Sequence, residues 1–167
     1  ALPIWRYGYY KGIIPQKEKA VGNFSEYLFT GDSDSELQKK PGSDFLLNGK
    51  ETSKPGLIGG IELFKIDDAV YGRDKKGYRK LQDALYLREG TELAVLTPTS
   101  FSDYNVKKFT LVGKFRSGMY EYDSHIIYMH LKDAQKLRKT TSYVSGLSIS
   151  LDDYKYADQV KQGISDI

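Results

Sequence analysis

At 167 residues, 40% hydrophobic and 28% charged, the chain has the composition of a folded domain and not of a disordered tail. Its 25 basic and 22 acidic residues are interleaved, so the net charge of +3 argues against a basic face for nucleic acid. Cysteine is absent, which removes disulfides and thiolate metal sites, and no apolar run is long enough to span a bilayer as a helix.

Fourteen tyrosines against one tryptophan and two histidines favour half-buried strands, where a ring packs and its hydroxyl stays wet. The opening Ala1-Leu2-Pro3-Ile4-Trp5 carries no basic-then-apolar signal and reads as the interior of a longer chain. Ile4 to Tyr10 reads as a strand, Lys11-Gly12 as a turn, and Ala20 to Phe29 as further strand. Residues 31–54, rich in Asp, Ser, Gly, Lys and Pro, are expected as a mobile loop, with a hairpin edge at Phe45-Leu46-Leu47 before Asn48-Gly49. Leu57 to Gly60 is a short strand, and a helix is expected from Ile61 to Tyr71 with Leu63, Ile66 and Val70 on one face. Residues 72–80 read as a solvated excursion. Strands are expected at 91–97 and 109–115, joined by a polar connection over 98–107, and again at His125 to His130. Leu131, Ala134 and Leu137 stripe a short helix. Val144 to Leu151 alternates as a strand should, and Asp152 or Asp153 caps a closing helix striped by Ala157, Val160 and Ile164. Mixed strands and helices with short connections give an α+β class.

Residues that could carry chemistry do not converge. Gly56-Leu57-Ile58-Gly59-Gly60 lacks both the dinucleotide and the Walker spacing, so its glycines are assigned to a strand-to-helix turn. His125 and His130 lie five apart on an expected strand and point to opposite faces, which gives no metal site. Asp32-Ser33-Asp34-Ser35-Glu36 lacks the glycine and closing glutamate of a calcium loop. No strained serine elbow is present, and the adjacent pairs Asp67-Asp68 and Asp152-Asp153 suit capping better than acid–base work. Neither an enzyme nor a cofactor site is expected.

The run from Lys108 to Ser124 (KFTLVGKFRSGMYEYDS), then Leu131 to Leu137 (LKDAQKL) and Val144 to Asp153 (VSGLSISLDD), resembles the periplasmic core domain of the lipoprotein-releasing permeases of the LolC and LolE family, within the wider MacB-like group. Gly56 to Leu63 and Glu89 to Pro98 are similar to earlier elements of that family. The resemblance implies a MacB-like α+β fold in two parts. Residues 1–143 would form a strand-rich part, and residues 144–167 the strand–helix portion of a βαβ-type part whose other half and return strand lie outside this chain. It implies a place on the periplasmic face of the bacterial inner membrane, a partner permease, a cytoplasmic ATPase subunit that burns the fuel, lipoprotein cargo and a periplasmic carrier. A MacB-type exporter or an FtsX-like permease with other cargo is the alternative. Two departures stand out: the extra residues 72–80, and a short 98–107 connection where LolC carries a long hook for its carrier. A LolE-like or undifferentiated role follows, with Phe101 and Tyr104 as candidate partner contacts. Tyr120 and Tyr122, within Tyr120-Glu121-Tyr122-Asp123, are further candidates against the plainer reading of a turn that sets strand register.

Overall fold

Strand β1 (Tyr9–Ile13) stops just before Pro15, whose missing N–H and fixed φ suit the first position of helix α1 (Pro15–Val21). The computed structural model describes residues 5–165 apart from 41, 43, 68, 74 and 100–102. A single 3-10 turn at Phe24–Tyr27 leads into β2 (Leu28–Thr30), and another at Asp34–Glu36 into β3 (Gln38–Lys39). Then come β4 (Gly56–Gly60), a turn at Glu62–Phe64, β5 (Lys65–Asp67), β6 (Val70–Arg73), β7 (Arg79–Gln82) and β8 (Leu85–Tyr86). The long strands β9 (Glu92–Pro98) and β10 (Tyr104–Phe115) precede helix α2 (Tyr120–His125), β11 (Ile126–His130) and α3 (Leu131–Leu137). A turn at Tyr154–Tyr156 and helix α4 (Ala157–Ser165) close the described chain.

The main sheet runs β1-β11-β4-β10-β2-β3, with β9 paired along the first half of β10. The β1–β11 and β4–β10 pairs are parallel and the others antiparallel. β5–β8 and β6–β7 form separate two-stranded ribbons. Alternation along β4 sends Leu57 and Gly59 to one face and Ile58 and Gly60 to the other. On the first face Leu57, Phe109, Leu111 and Met129 lie under Ala134 and Leu137 of α3 and beside Leu63 and Phe64. On the second, Ile58 and Val112 pack with Ile13, Phe24, Leu28 and Phe115. Every residue of β4 is buried, so the strand runs through the centre of the core.

Several sequence expectations need correction. The glycines of β4 make no turn, and neither Gly59 nor Gly60 has a positive φ. Their missing side chains admit close neighbours: a Cβ at Gly59 would strike the Phe64 ring, and one at Gly60 the Asp123 carbonyl. Gly12, expected in a turn, lies inside β1, where a Cβ would press on Ala134. The expected helix over 61–71 is one 3-10 turn followed by strands β5 and β6, because Leu63 and Phe64 are held in the core while Ile66 faces outward. The strand expected over 20–29 begins as helix α1, nucleated by Pro15. Tyr120 to Asp123 is the start of a helix, not a turn.

Residues 144–151, expected as a strand, form none, and their alternating Leu147 and Ile149 are exposed. A strand needs a neighbouring edge, and no described residue pairs with this segment. The stripe of α4 is likewise uncovered: Ala157 and Ile164 are exposed and Val160 is half-buried. By contrast, Leu47 and Lys50 exchange two backbone bonds of 3.0 Å around Asn48 and Gly49, both at positive φ, which is the expected tight hairpin. Helix α3 and the capping of the Tyr154–Tyr156 turn by the Asp153 carboxylate also follow the sequence reading.

Candidate functional site

Register fixes which side chains share the first sheet face. Tyr10 pairs with Ile127 and Leu57 with Met129, while Leu57 also pairs with Leu111 and Phe109 with Leu93. Helix α3 covers one end of this face. It is held to β10 by the Lys107–Asp133 ion pair at 2.7 Å and by the Asn105 side chain, which donates to the Leu137 carbonyl at 2.7 Å. The Glu62–Phe64 turn covers another part. Beside that turn lies a groove of about 750 Å³, lined by Tyr10, Leu57, Ile127, Leu93 and Val95 together with Ile66, Leu96 and residues of the Trp5–Gly8 segment. That volume is in the range of small-ligand sites. Its lining is mostly apolar, with Arg6, Lys65 and Tyr104 at its borders. Tyr10 adds an oddity, a buried hydroxyl with no hydrogen-bond partner among the described residues.

Several charges away from the groove lining are tied off. Lys114 is fully buried, and its ammonium pairs with the Glu89 carboxylate and donates to the Gly31 carbonyl at 2.8 Å. Glu89 in turn accepts from the Gly31 amide, where a positive φ suits glycine. Asp34 accepts from the Tyr86 hydroxyl at 2.8 Å and from Arg116 at 3.0 Å, and Asp32 pairs with Arg88 at 2.7 Å. Burial alone would raise the Asp34 carboxyl, but the hydrogen bonds from Tyr86 and Arg116 outweigh it and hold it below its usual 3.8. Burial, then the Asp34 carboxylate, pushes the Tyr86 hydroxyl up to about 12. Asp32 and Asp34 therefore pin their loop to Arg88, to Tyr86 of β8 and to Arg116 just after β10.

The expected contact residues fall in different places. Tyr104 borders the groove and is 63% exposed. Phe101 lies outside the described residues. Tyr120 and Tyr122 project from α2, 67% and 48% exposed, and neither lines the groove. The motif's buried member is Asp123, whose carboxylate accepts from the Ser117 amide at 2.7 Å, the Ser117 hydroxyl at 2.8 Å and the Gly118 amide at 3.1 Å. His130 accepts from the Lys132 amide at the start of α3, and His125 contacts Ser124 and the Glu121 carbonyl. Trp5, Tyr7 and Tyr10 belong to the segment expected as a strand, and nothing in the sequence marks them as lining a groove. That role requires the pairing of β1 with β11, which joins residues more than a hundred positions apart.

No family model matches the chain. Over 78 residues it is 32% identical to the lipoprotein-releasing system transmembrane protein LolC of Neisseria meningitidis serogroup B. The chain resembles this permease in part. The match covers 44% of the chain and 19% of LolC, so it spans about a fifth of its relative. It connects the chain to a transmembrane protein, while no helix among the described residues is long and apolar enough to cross a membrane.

Proposed function

We propose that the chain is an extracytoplasmic domain of an ABC-transporter permease in a lipoprotein-release system, built on a MacB-like core. The observation that carries this reading is the 78-residue likeness to LolC. The groove supplies a physical means: a mostly apolar trough beside a sheet shelters an acyl chain from water, each buried methylene contributing about 0.8 kcal/mol. In this reading the domain is non-catalytic and stands at the periplasmic face of the inner membrane. A cytoplasmic ATPase subunit drives a partner permease and this one, and the motion passes lipoprotein cargo toward a carrier. Residues 144–167 would complete a second, βαβ-type part with strands from elsewhere in the full permease. The Thr99 amide bonds to the Asp103 carbonyl at 2.7 Å, and Tyr104 pairs with Pro98, so only residues 99–103 separate β9 from β10. That favours a LolE-like or undifferentiated role over carrier docking through a hook.

Trp5 is the sole tryptophan and lines the groove, which gives a direct readout. Triacylated lipopeptide with brominated chains should quench Trp5 fluorescence saturably, and Leu96→Glu should weaken that binding at least tenfold without changing the melting temperature. Absence of quenching, or equal quenching in the variant, would remove the groove from lipoprotein handling.

A further inference from the structure

The β6–β7 ribbon stands apart from the main sheet. Apart from half-buried Gly72, the described residues from 71 to 82 are exposed. Its sequence holds Arg73, Lys75, Lys76, Arg79 and Lys80 against the single acid Asp74, a net charge of +4 over residues 70–82. The rest of the chain then carries 20 basic and 21 acidic residues. The whole positive excess of the protein sits on this one excursion. The interleaving of charge expected from the sequence as a whole therefore fails over residues 70–82.

Register gives the ribbon a face. Tyr71 pairs with Leu81 and Arg73 with Arg79, so these four side chains lie on one side. The Arg79 guanidinium stacks over the Tyr71 ring, 5.6 Å from its centroid. Like charges directly opposite on two strands repel, so the Arg73–Arg79 pair weakens the ribbon unless an anion lies between the forks. A two-stranded ribbon is also marginal by itself in water. Guanidinium forks match phosphate oxygens, and a tyrosine ring beside leucine suits the boundary between headgroups and acyl chains.

We propose that the β6–β7 ribbon docks on the surface of a bilayer containing anionic phospholipid, with Arg73 and Arg79 on headgroup phosphates and Tyr71 and Leu81 at the interface. A bilayer fits better than an acidic protein because the face sets two guanidinium groups beside a tyrosine ring and a leucine, a pairing that suits headgroup phosphates and the apolar boundary next to them. Asp67 and Asp83 flank the ribbon in sequence with the opposite charge, so the attraction to an anionic surface is confined to the ribbon itself. This docking face owes nothing to the acyl groove, and either can fail without the other.

Co-sedimentation of the chain with vesicles of phosphatidylcholine, with and without phosphatidylglycerol, tests it. Binding should require phosphatidylglycerol and fall with added salt. Arg73→Gln with Arg79→Gln should weaken it about 25-fold, at about fivefold per cation near the surface. Tyr71→Ser with Leu81→Ser should weaken it while leaving the salt dependence. Both variants should keep the wild-type melting temperature, since the ribbon lies outside the core. Equal binding to both vesicle types, or unchanged binding by the arginine variant, overturns the proposal. Binding to poly-L-glutamate without a preference for phosphatidylglycerol also overturns it and assigns the ribbon to an acidic protein.

Discussion

Lys114 has no contact with solvent, so its ammonium depends wholly on Glu89 and the Gly31 carbonyl. Lys114→Met strands both acceptors in the core and should cost about 3 kcal/mol in a urea titration, since one buried partner has been removed; a loss below about 1 kcal/mol would mean that Glu89 reaches water instead. Tyr10 is the reverse case, because its hydroxyl is buried with no partner among the described residues. Tyr10→Phe should stabilise the fold by about 1 kcal/mol, and a fall in melting temperature would reveal a partner for the hydroxyl. Tyr86 links stability to pH. Its folded value of about 12 lies above the unfolded 10.0, so between these values the unfolded chain has shed a proton that the folded one keeps. Its contribution is complete below pH 10 and is lost as pH rises through 12. Tyr86→Phe should flatten that part of the alkaline stability curve. Asp34 works in the opposite direction, contributing above 3.8 and losing its contribution as pH falls below it. Among these residues only their presence could be read from sequence, because each partner is supplied by a distant segment.

Elements built by local rules were legible; elements built by contact were not. Helix α3 has its apolar stripe within seven residues, and the tight turn at Asn48-Gly49 is dictated by two adjacent side-chain types. Helix α1 also carried a local sign, Pro15 at its first position, which the nearby strand-like residues masked. The 61–71 segment had helical spacing, yet burial of Leu63 and Phe64 under the sheet overrode it. The glycines of β4 gave their identity but not their reason, which is the close approach of Phe64 on one side and α2 on the other. Gly60→Ala places a methyl against the fixed backbone of Asp123 and should cost about 3 kcal/mol, as overpacking of a tight site does. Gly146→Ala, where an added Cβ meets nothing, is the control and should change stability by less than about 0.5 kcal/mol. Equal effects at the two sites would show that α2 does not rest on β4.

At the scale of the molecule, the sheet is complete before the chain ends. The last strand, β11, pairs with β1 and β4, and α3 closes the core at Leu137. Beyond it, none of the described residues 141–164 is buried, and Gln135 reaches the Tyr143 carbonyl at 3.2 Å as a tether near the start of this stretch. The alternation of Leu147, Ile149 and Leu151 therefore reads as a strand that no described residue pairs with, which is why its pattern was clear in sequence and its structure did not follow. Segments with few buried contacts open locally at little cost, whatever the stability of the body. Limited proteolysis should cut first between residues 141 and 152, and the product ending near there should keep the melting temperature of the intact chain. If cleavage instead began in the body, or if loss of the tail lowered the melting temperature by several degrees, residues 144–165 would be part of the core. Protection that vanished on dilution would instead place a second copy of the chain on the exposed leucines and isoleucine, since a concentration-dependent cover can come only from association.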